Sequence, residues 1–551
     1  MKRHLRFLSL LLATVLVVAL SAGCSGNNGS SSGGNQSSET TSATVGEDGR
    51  ELVGNTYTTG LPIVKEPETL KIAVLRHNLD TTESFDEKPA FKDLEAETGI
   101  KIEWIEIPAS TASERVSVML AGDLPDVFWG LLSDNDIVKN TESFVPLEDM
   151  LEKYAPNTVA TYAKIDGIYD RITCTDGHIY TLAAGYQSLY ENTVDGIQII
   201  NKKWLDAVGK DIPTNLDEFY DVLVAFKTQD PNGNGKQDEI PLAFANSMWC
   251  AGIGNFMGSW GFTTYYKVNN GKVEGTAKTQ EFRNFLEYYH KLIDEGLMDA
   301  EGFSQTVEQF STKIKNGQVG SYYCWTALEY MNSEMAEEYV TLPPMSVPGS
   351  DIKPVVSGQK NMLTANISRG FVITKQCKNP AAALRWWDNL AKSTESKLTV
   401  ALGEQGVLWD KYEDGSGYYF LIPENTTEDF TYENMKYTYG LVNYMPILAI
   451  DEQPVNDPKI SPASALRDSM VDDVSDYYPA EVIPNRFVDP EKVTERTFIQ
   501  TDLITYIDNF VATSIINGVT DASWDEFQKQ LDALKYDEWI AWYQSYLDGE
   551  F

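Results

Sequence analysis

Strand and helix patterns alternate between residues 69 and 130, and this alternation constrains the fold more than any other feature of the chain. Apolar strand patterns occupy 69–76, 101–107 and 125–130. The two segments between them have helical apolar spacing, and each ends in a glycine, Gly99 or Gly122, as helices often do. Strands and helices that alternate with short connections indicate a parallel sheet covered by helices. The predicted fold class is therefore α/β.

The length of the chain predicts two domains. The chain has 551 residues, and about 490 of them follow the N-terminal linker described below. Chains of this size usually divide into domains of about 50–200 residues, because a single hydrophobic core does not keep growing with length.

The first 24 residues have the layout of a secretory leader. A basic start precedes an apolar run from Phe7 to Leu20, and "LSAGC" follows. A transmembrane helix needs about 20 apolar residues, so the shorter run predicts that residues 1–23 are a signal peptide. The small residues before Cys24 resemble the lipobox of bacterial lipoproteins, although Ser21 occupies a position that is usually aliphatic. We expect lipidation of Cys24; the alternative is ordinary cleavage that leaves a free thiol.

Residues 24–65 are predicted to be the lipidated N-terminus and a flexible linker. The segment "SGNNGSSSGGNQSSETTSATVGEDG" is rich in Gly, Ser and Asn and too poor in apolar residues to form a core. A lipid anchor followed by such a linker would hold a globular body at the extracellular face of the cell membrane.

The charge of the chain is strongly negative. Its 81 acidic and 44 basic side chains give a formal net charge of −37. Such a charge disfavours nucleic acid and anionic lipid headgroups as partners, and it favours bound cations. We expect a monomer with no nucleic-acid function.

Cysteine and histidine are too sparse and too scattered for a zinc site. Beyond Cys24, the cysteines are Cys174, Cys250, Cys324 and Cys377, and their spacings match no zinc motif. We expect buried thiols, with a disulfide as the alternative outside the cell. The chain has 4 histidines, well separated in sequence, so a zinc enzyme or a histidine-dependent triad is disfavoured.

The segment "DPNGNGKQDEIP", residues 230–241, has the oxygen spacing of a calcium loop. The glycine at its sixth position permits a tight turn. An EF-hand places a bidentate Glu at position 12, but Pro241 stands there, and Glu239 at position 10 can supply that carboxylate instead. All-oxygen ligands favour a structural Ca²⁺ over zinc or copper; the alternative is an Asn/Gly turn with fortuitous acids. The predicted ligands are Asp230, Asn232, Asn234, the Lys236 carbonyl, Asp238 and Glu239.

Several motifs along the chain together resemble one family. In order they are "LAGDLPDVFWG", "FVPLEDMLEKYAPN", "DGHIYTLAAG", "INKKWLD…DEIP", "NGQVGSYYCW", "NPAAALRWWDNL" and "GEQGVLWD". The chain resembles the extracellular solute-binding lipoproteins of bacterial carbohydrate ABC importers, in particular the large ones grouped with alginate-binding and maltose-binding proteins. The calcium loop resembles a variant loop that binds calcium in the alginate-binding relatives.

The resemblance implies a periplasmic-binding-protein-like fold with a hinge and a ligand cleft between two lobes. Lobe one would hold 66–180 plus about 371–425. Lobe two would hold 181–365 plus about 426–551, including the calcium loop. Such a protein captures an oligosaccharide by lobe closure, delivers it to ABC permease subunits, and is not an enzyme. The alternatives are binding of a peptide or another solute by the same fold, an exported glycoside hydrolase, and a purely structural surface lipoprotein.

Aromatic residues are the predicted ligand contacts, because sugar rings stack on indole and phenol faces while a few polar groups bind their hydroxyls. By the resemblance, Trp325 matches a position at which sugar-binding relatives stack a ring, and Trp409 is the next candidate. For every aromatic candidate the alternative is core packing. The remaining candidates follow strands, lie in glycine-rich loops, or are polar residues near a strand: Trp129, Tyr186, Trp249, Trp260, Asp126 and Arg369.

Overall fold

The computed structural model describes residues 43–187, 194–358, 370–423 and 432–551. These residues belong to one compact unit, Ala43–Phe551. The prediction that the flexible linker extends to residue 65 is therefore corrected: short strands occupy Thr44–Val45, Glu51–Val53 and Thr56–Tyr57, and Ile63 and Val64 are buried. The predicted signal peptide, the predicted lipidation site Cys24 and the candidate ligand contact Arg369 lie outside the described residues.

Strands in the described ranges form two larger sheets and three small ones. In chain order the strands are β1 (Thr44–Val45), β2 (Glu51–Val53), β3 (Thr56–Tyr57), β4 (Glu68–Arg76), β5 (Ile100–Pro108), β6 (Val127–Trp129), β7 (Thr181–Leu182), β8 (Ile197–Asn201), β9 (Ile240–Leu242), β10 (Tyr266–Asn269), β11 (Lys272–Gly275), β12 (Val319–Cys324), β13 (Tyr339–Thr341), β14 (Phe371–Ile373), β15 (Trp409–Lys411) and β16 (Tyr418–Phe420).

Helices cover both larger sheets and dominate the C-terminal part of the chain. In chain order they are α1 (Leu94–Thr98), α2 (Ala112–Leu120), α3 (Asp134–Lys139), α4 (Glu148–Tyr154), α5 (Pro156–Tyr162), α6 (Ile168–Ile172), α7 (Lys202–Val208), α8 (Leu216–Thr228), α9 (Gln280–Asp294), α10 (Val307–Lys315), α11 (Ser333–Ala336), α12 (Pro380–Leu390), α13 (Thr394–Leu402), α14 (Tyr432–Tyr439), α15 (Pro462–Asp472), α16 (Pro490–Asn517), α17 (Asp521–Ala533) and α18 (Tyr536–Asp548). Among the described residues, no helix is both long and apolar enough to cross a membrane.

The first larger sheet has the strand order β5-β4-β6-β14-β7. β4 is parallel to β5 and to β6, with Ile72 opposite both Trp104 and Val127. β14 is antiparallel to β6 and to β7. The three parallel strands are the ones that the alternation of strand and helix patterns predicts, so the parallel arrangement is confirmed. β14 joins them from a distant part of the chain.

The second larger sheet has the strand order β13-β8-β12-β9. β8 is antiparallel to β12 and to β13, whereas β9 is parallel to β12. Every residue of β8 and β12 is buried. Strands buried on both faces are typical of sheets that helices cover on two sides.

Two separate hydrophobic cores surround these sheets. The first draws its buried residues from 63–184 and 371–449, together with Phe487. The second draws them from 194–356 and 470–539. The chain therefore passes from the first core to the second, back to the first, and again to the second.

Residues 435–449 belong to the first core, whereas the family resemblance implies the second lobe for them. Tyr444 is 2% exposed, and its hydroxyl donates a hydrogen bond to the Leu75 carbonyl at the end of β4 at 2.5 Å. The Trp129 indole N–H in turn donates to the Tyr444 carbonyl at 2.5 Å. These contacts hold the segment against the first sheet before the chain enters the C-terminal helices.

The four cysteines after Cys24 are buried, free thiols, as the sequence analysis expected: Cys174, Cys250, Cys324 and Cys377. Burial raises the pKa of each thiol. They are packing residues in this structure, and the alternative of a disulfide among them is not observed.

Candidate functional site

One edge of the second sheet collects the residues of the candidate site. Because β9 is parallel to β12, the carboxyl ends of both strands meet at this edge, and the antiparallel β8 begins there. Trp249 lies in the segment after β9, Trp325 directly follows β12, and Asp195 lies just before β8. In α/β sheets the crevice outside the carboxyl ends of the strands is the usual place for a ligand.

Trp249 and Trp325 form an aromatic pair at this edge. Their ring centroids are 5.4 Å apart and their planes are inclined by 50°. Trp249 is 61% exposed, and Trp325 is half-buried. The backbone N–H of Trp325 donates to Glu329 Oε2 at 3.2 Å, which fixes the loop after β12. The pair therefore offers indole surface on a well-held backbone.

Arg467 of α15 packs against Trp325 of this pair. Its guanidinium carbon lies 4.0 Å from the centroid of the Trp325 ring. One guanidinium nitrogen, Nη2, donates to the Val194 carbonyl at 2.8 Å. Arg467 is 4% exposed, and burial lowers its pKa to about 10. Sequence reasoning missed this residue, because a single Arg within a helix carries no motif.

A cavity of about 570 Å³ adjoins the aromatic pair. Small-molecule sites have volumes of about 300–1,000 Å³ and combine apolar walls with a few polar groups. The lining of the cavity includes Asp195, Trp249, Phe262, Tyr266, Trp325 and Glu481. Hydrogen bonds orient both of these carboxylates: the Ser357 hydroxyl donates to Asp195 Oδ2 at 2.5 Å, and the Gly271 N–H donates to Glu481 Oε2 at 2.7 Å.

The cavity lies where the chain passes between the two cores. Part of its wall is formed by Val194 and Asp195, and another part by Val355, Ser357 and Gly358. These residues lie at the ends of the two segments that connect first-core residues to second-core residues. Residues 479–483 form a third part and precede Phe487, whose side chain is buried in the first core. The connecting segments are therefore in direct contact with any molecule in the cavity.

Trp129, Trp260 and Trp409 do not line this cavity, and their prediction as ligand contacts is corrected. Their exposed fractions are 0%, 2% and 0%, respectively. The indole N–H of Trp409 donates to the Gly403 carbonyl at 2.9 Å, and Trp260 packs edge-on against Phe285. Each ring is enclosed by its own core, so no face is open to a ligand.

The remaining predicted contacts are dispersed. Tyr186 is half-buried and forms a bridge to Leu448 near the carboxyl end of β7, on the first core. Asp126 precedes β6, at the opposite edge from the carboxyl ends of the parallel strands, and its carboxylate accepts the Lys71 N–H at 2.8 Å. Asp126 is thus a structural residue rather than a ligand contact.

The predicted calcium loop begins two residues after α8. Three residues of the loop have a positive φ: 48° at Asp230, 68° at Gly233 and 75° at Gly235. The chain therefore turns tightly here. The N–H groups of Asn234 and Gly235 donate to the two carboxylate oxygens of Asp230 at 3.1 and 3.0 Å. The Asn234 side-chain amide donates to Asp238 Oδ1 at 2.9 Å. These hydrogen bonds hold the carboxylates of Asp230 and Asp238 against the backbone and side chains of the loop itself.

The carboxylate of Glu239 supports the binding of a cation in this loop. Its Oε1 atom is buried and has no hydrogen-bond partner. Burial raises the pKa of the Glu239 carboxyl, and the charges of Asp230 and Asp238 raise it further. A bound cation would satisfy Oε1 and relieve this repulsion. The donor chemistry of the loop therefore fits a hard cation.

The loop has suitable oxygen ligands, but the structure does not gather them around one point. Among the described residues, no three His, Cys, Asp or Glu side chains gather closely enough to hold a metal ion. The other ligands that the sequence predicts are amide or carbonyl oxygens, and Asn234 Oδ1 accepts the Lys236 N–H at 2.8 Å. The structure does not itself form the six-ligand shell that the sequence predicts.

Comparison with known proteins gives the family. Residues 80–397 match the profile of the bacterial extracellular solute-binding proteins. The fructooligosaccharide ABC transporter substrate-binding protein FusA of Streptococcus pneumoniae serotype 4 is 27% identical over 517 residues, which cover 88% of this chain and 91% of FusA.

Solved structures agree with this match. The HMO-binding, ABC-transporter-associated solute-binding protein of Bifidobacterium longum infantis has a TM-score of 0.70 and 25% identity, and the match covers 88% of this chain and 99% of that one. An EF-hand mutant of FusA in complex with fructo-nystose has a TM-score of 0.65 at 24% identity, with coverage of 88% and 99%.

These matches confirm the predicted solute-binding α/β fold, and they confirm that the protein is not an enzyme, since the family consists of binding proteins. The chain belongs to the bacterial extracellular solute-binding protein family.

Proposed function

We propose that the protein captures an oligosaccharide at the Trp249–Trp325 pair and delivers it to the permease subunits of an ABC importer. The observation that carries the proposal is the position of this pair, at the carboxyl edge of the second sheet and beside the cavity. Sugar rings have C–H-rich faces that pack on indole, and their hydroxyl groups need polar partners nearby. Asp195 and Glu481 in the cavity wall can accept hydrogen bonds from such hydroxyls.

The charge of the protein favours a neutral sugar over an anionic one. The net charge is −37, and the polar side chains that line the cavity include the carboxylates Asp195 and Glu481, with Lys267 as the cation among them. The fructooligosaccharide-binding and HMO-binding relatives support an oligosaccharide ligand.

The two cores suggest how capture works. We propose that each core is one lobe, with 63–187 and 370–449 in lobe one and 194–356 and 470–551 in lobe two, apart from Phe487, whose side chain packs in the first core. Because the cavity wall includes the segments that join the cores, closure of the lobes around a ligand would act through these segments. The protein would work as a monomer.

We also propose that residues 230–239 bind Ca²⁺. The carboxylates of Asp230, Asp238 and Glu239 would hold the ion, together with oxygens of Asn232, Asn234 and Lys236. The ion would cross-link the loop after α8 and neutralise its carboxylates, so its role would be structural. The unpartnered Glu239 Oε1 atom supports this assignment, as does the EF-hand of the relative FusA.

Export and anchoring complete the proposal. Residues 1–23 would direct secretion, Cys24 would carry the lipid, and the linker that follows would keep the body near the permease at the extracellular face of the membrane. Metabolic labelling with a radioactive or alkyne fatty acid tests this step, and Cys24→Ala should abolish the label.

The ligand is testable with a panel of pure compounds. Kestose, a human milk tetrasaccharide, an oligouronide and a tetrapeptide would each be tested by thermal shift and by titration calorimetry. A ligand that binds the folded state raises its stability by RT ln(1 + [L]/Kd). We expect a neutral oligosaccharide to raise the melting temperature and to give a saturable heat signal.

Two outcomes would contradict the proposal. Stabilisation by the peptide, with no effect from any glycan, would assign the site to another solute. Release of reducing ends from the bound oligosaccharide would mean that the protein hydrolyses its ligand.

A further inference from the structure

We propose that Arg467 is a positioning residue for the ligand platform: it lies against one face of Trp325 and holds the plane of the ring for a ligand on the other side. The inference rests on the proposed function only for the identity of the ligand. The observation behind it is the 4.0 Å distance from the guanidinium carbon to the ring centroid. A flat indole has two faces, and Arg467 covers one of them. Trp325 remains half-buried rather than buried and lines the cavity.

The surroundings of Arg467 are unusual for a residue that only fills a core. Its side chain is 4% exposed, yet Nε and Nη1 have no hydrogen-bond partner. Within the described ranges it makes no ion pair either, and its hydrogen bond runs from Nη2 to the Val194 carbonyl. Burying a cation without a carboxylate is costly. The Val194 carbonyl and the face of Trp325 are the favourable contacts that the described residues give this cation.

The chemistry of the contact requires arginine in particular. A guanidinium is planar and weakly hydrated, so it stacks on an aromatic face while donating sideways. A lysine ammonium would keep the charge but lose the planar contact and the directional bond to Val194. Replacement of Arg467 by methionine would keep much of the side-chain volume but lose the planar contact with Trp325 and the hydrogen bond to Val194.

The same contact links the platform to the chain between the cores. Val194 lies in the segment that leads from the first core into β8, and it also lines the cavity. Arg467 therefore joins Trp325 to a segment whose position we expect to change on lobe closure. The orientation of the ring is set partly by a helix that is distant from it in sequence.

The test uses ¹⁹F NMR of the full chain labelled with 5-fluorotryptophan, which places one probe on each of its 12 tryptophans. Trp325→Phe assigns the Trp325 resonance by its loss. We expect Arg467→Met to shift and broaden that resonance, and Arg467→Lys to shift it less. The affinity for the glycan identified by the panel should fall about tenfold in Arg467→Met, which is about 1.4 kcal/mol, with partial rescue in Arg467→Lys.

Arg385→Met is the matched control. Arg385 is a half-buried arginine on the first core whose guanidinium donates to the Tyr57 and Gly60 carbonyls at 2.6 and 2.9 Å. Its replacement should leave the Trp325 resonance and the glycan affinity unchanged.

An unchanged Trp325 resonance in folded Arg467→Met would overturn the proposal, and so would unchanged glycan affinity. If Arg467→Met does not fold, the Trp325 resonance and the glycan affinity are measured in Arg467→Lys instead, and no change in either one would overturn the proposal. If no glycan binds even the unaltered protein, the proposed function fails, while the resonance of Trp325 still decides whether Arg467 positions the ring.

Discussion

The indole rings of Trp249 and Trp325 lie 5.4 Å apart between centroids, although Trp249 follows β9 and Trp325 follows β12. The parallel pairing of these two strands brings their carboxyl ends to one edge of the sheet. Of the six aromatic residues that the sequence analysis put forward, these two meet beside the cavity. They are therefore the first residues to test.

Alanine at Trp249 or at Trp325 should weaken glycan binding by roughly tenfold or more, about 1.4–2 kcal/mol, because truncation removes the indole surface on which a sugar ring would pack. Titration calorimetry with the glycan found by the panel measures the loss. Phe498→Ala on α16 is the control, since Phe498 is 82% exposed and remote from the pair in the chain. Equal affinity of the control and the two tryptophan variants would exclude the pair as the platform.

Removal of Ca²⁺ by a chelator should lower the melting temperature, and restoring Ca²⁺ should recover it, because an ion that binds only the folded state stabilises it by mass action. Glu239→Gln should reduce this response, whereas Asp123→Asn, at an exposed position near the end of α2, should not. Differential scanning calorimetry with elemental analysis checks both. A protein that contains no calcium and is insensitive to chelation would show that the loop is an ordinary turn.

Lys88→Met should destabilise the first core strongly. The Lys88 ammonium lies 2.9 Å from Asp80 Oδ2, with the two side chains 0% and 2% exposed, and it also donates to the Tyr437 carbonyl at 2.7 Å. Removing the cation leaves Asp80 buried with Arg76 as a more distant partner, so we expect a loss of about 3 kcal/mol in the free energy of unfolding. Urea titration measures it.

Lys71→Met is the matched control for that experiment. Lys71 pairs with Glu103 at 3.4 Å, but both side chains are more than half exposed. Its loss should cost less than about 1 kcal/mol. Similar costs for the two variants would mean that the buried pair contributes no more than a surface pair.

The His178–Glu148 pair should make a small contribution to stability that depends on pH. The hydrogen bond to Glu148 raises the pKa of His178 above its usual value. Burial is the largest single effect on the Glu148 carboxyl and raises its pKa, but the hydrogen bonds from His178 and from backbone N–H groups, together with the charge of His178, outweigh burial and lower it. The contribution of His178 is therefore full below about pH 6.5 and disappears as the pH rises through the raised pKa.

An NMR titration of the His178 ring protons checks this directly. We expect a midpoint above 6.5 that falls towards that value in Glu148→Gln. Because the His178 side chain is 50% exposed, the effect on stability should be small. If the titration midpoint of His178 is the same in Glu148→Gln as in the unaltered protein, Glu148 does not raise the pKa of His178.

Local patterns in the sequence were sufficient for much of the fold. Residues 69–130 alternate between strand and helix because short apolar strands and amphipathic helices are encoded within a few residues, and the structure forms β4, β5 and β6 there. The oxygen side chains of 230–239 likewise indicate their chemistry by spacing, and the structure adds a buried, unpartnered Glu239 oxygen.

What the sequence alone determined about this protein was its family and fold class, the spacing of its candidate calcium ligands, and a set of aromatic residues. Only the tertiary structure decided which of those aromatics are accessible. Trp129, Trp260 and Trp409 are candidates from sequence as well, but each is buried in one of the two cores, and the segment 435–449 packs on Trp129 through Tyr444. Arg467 could not be found from sequence, because its contact with Trp325 exists only where α15 packs beside the segment that follows β12. Burial and contact depend on chain segments that are far apart, and no local pattern records them.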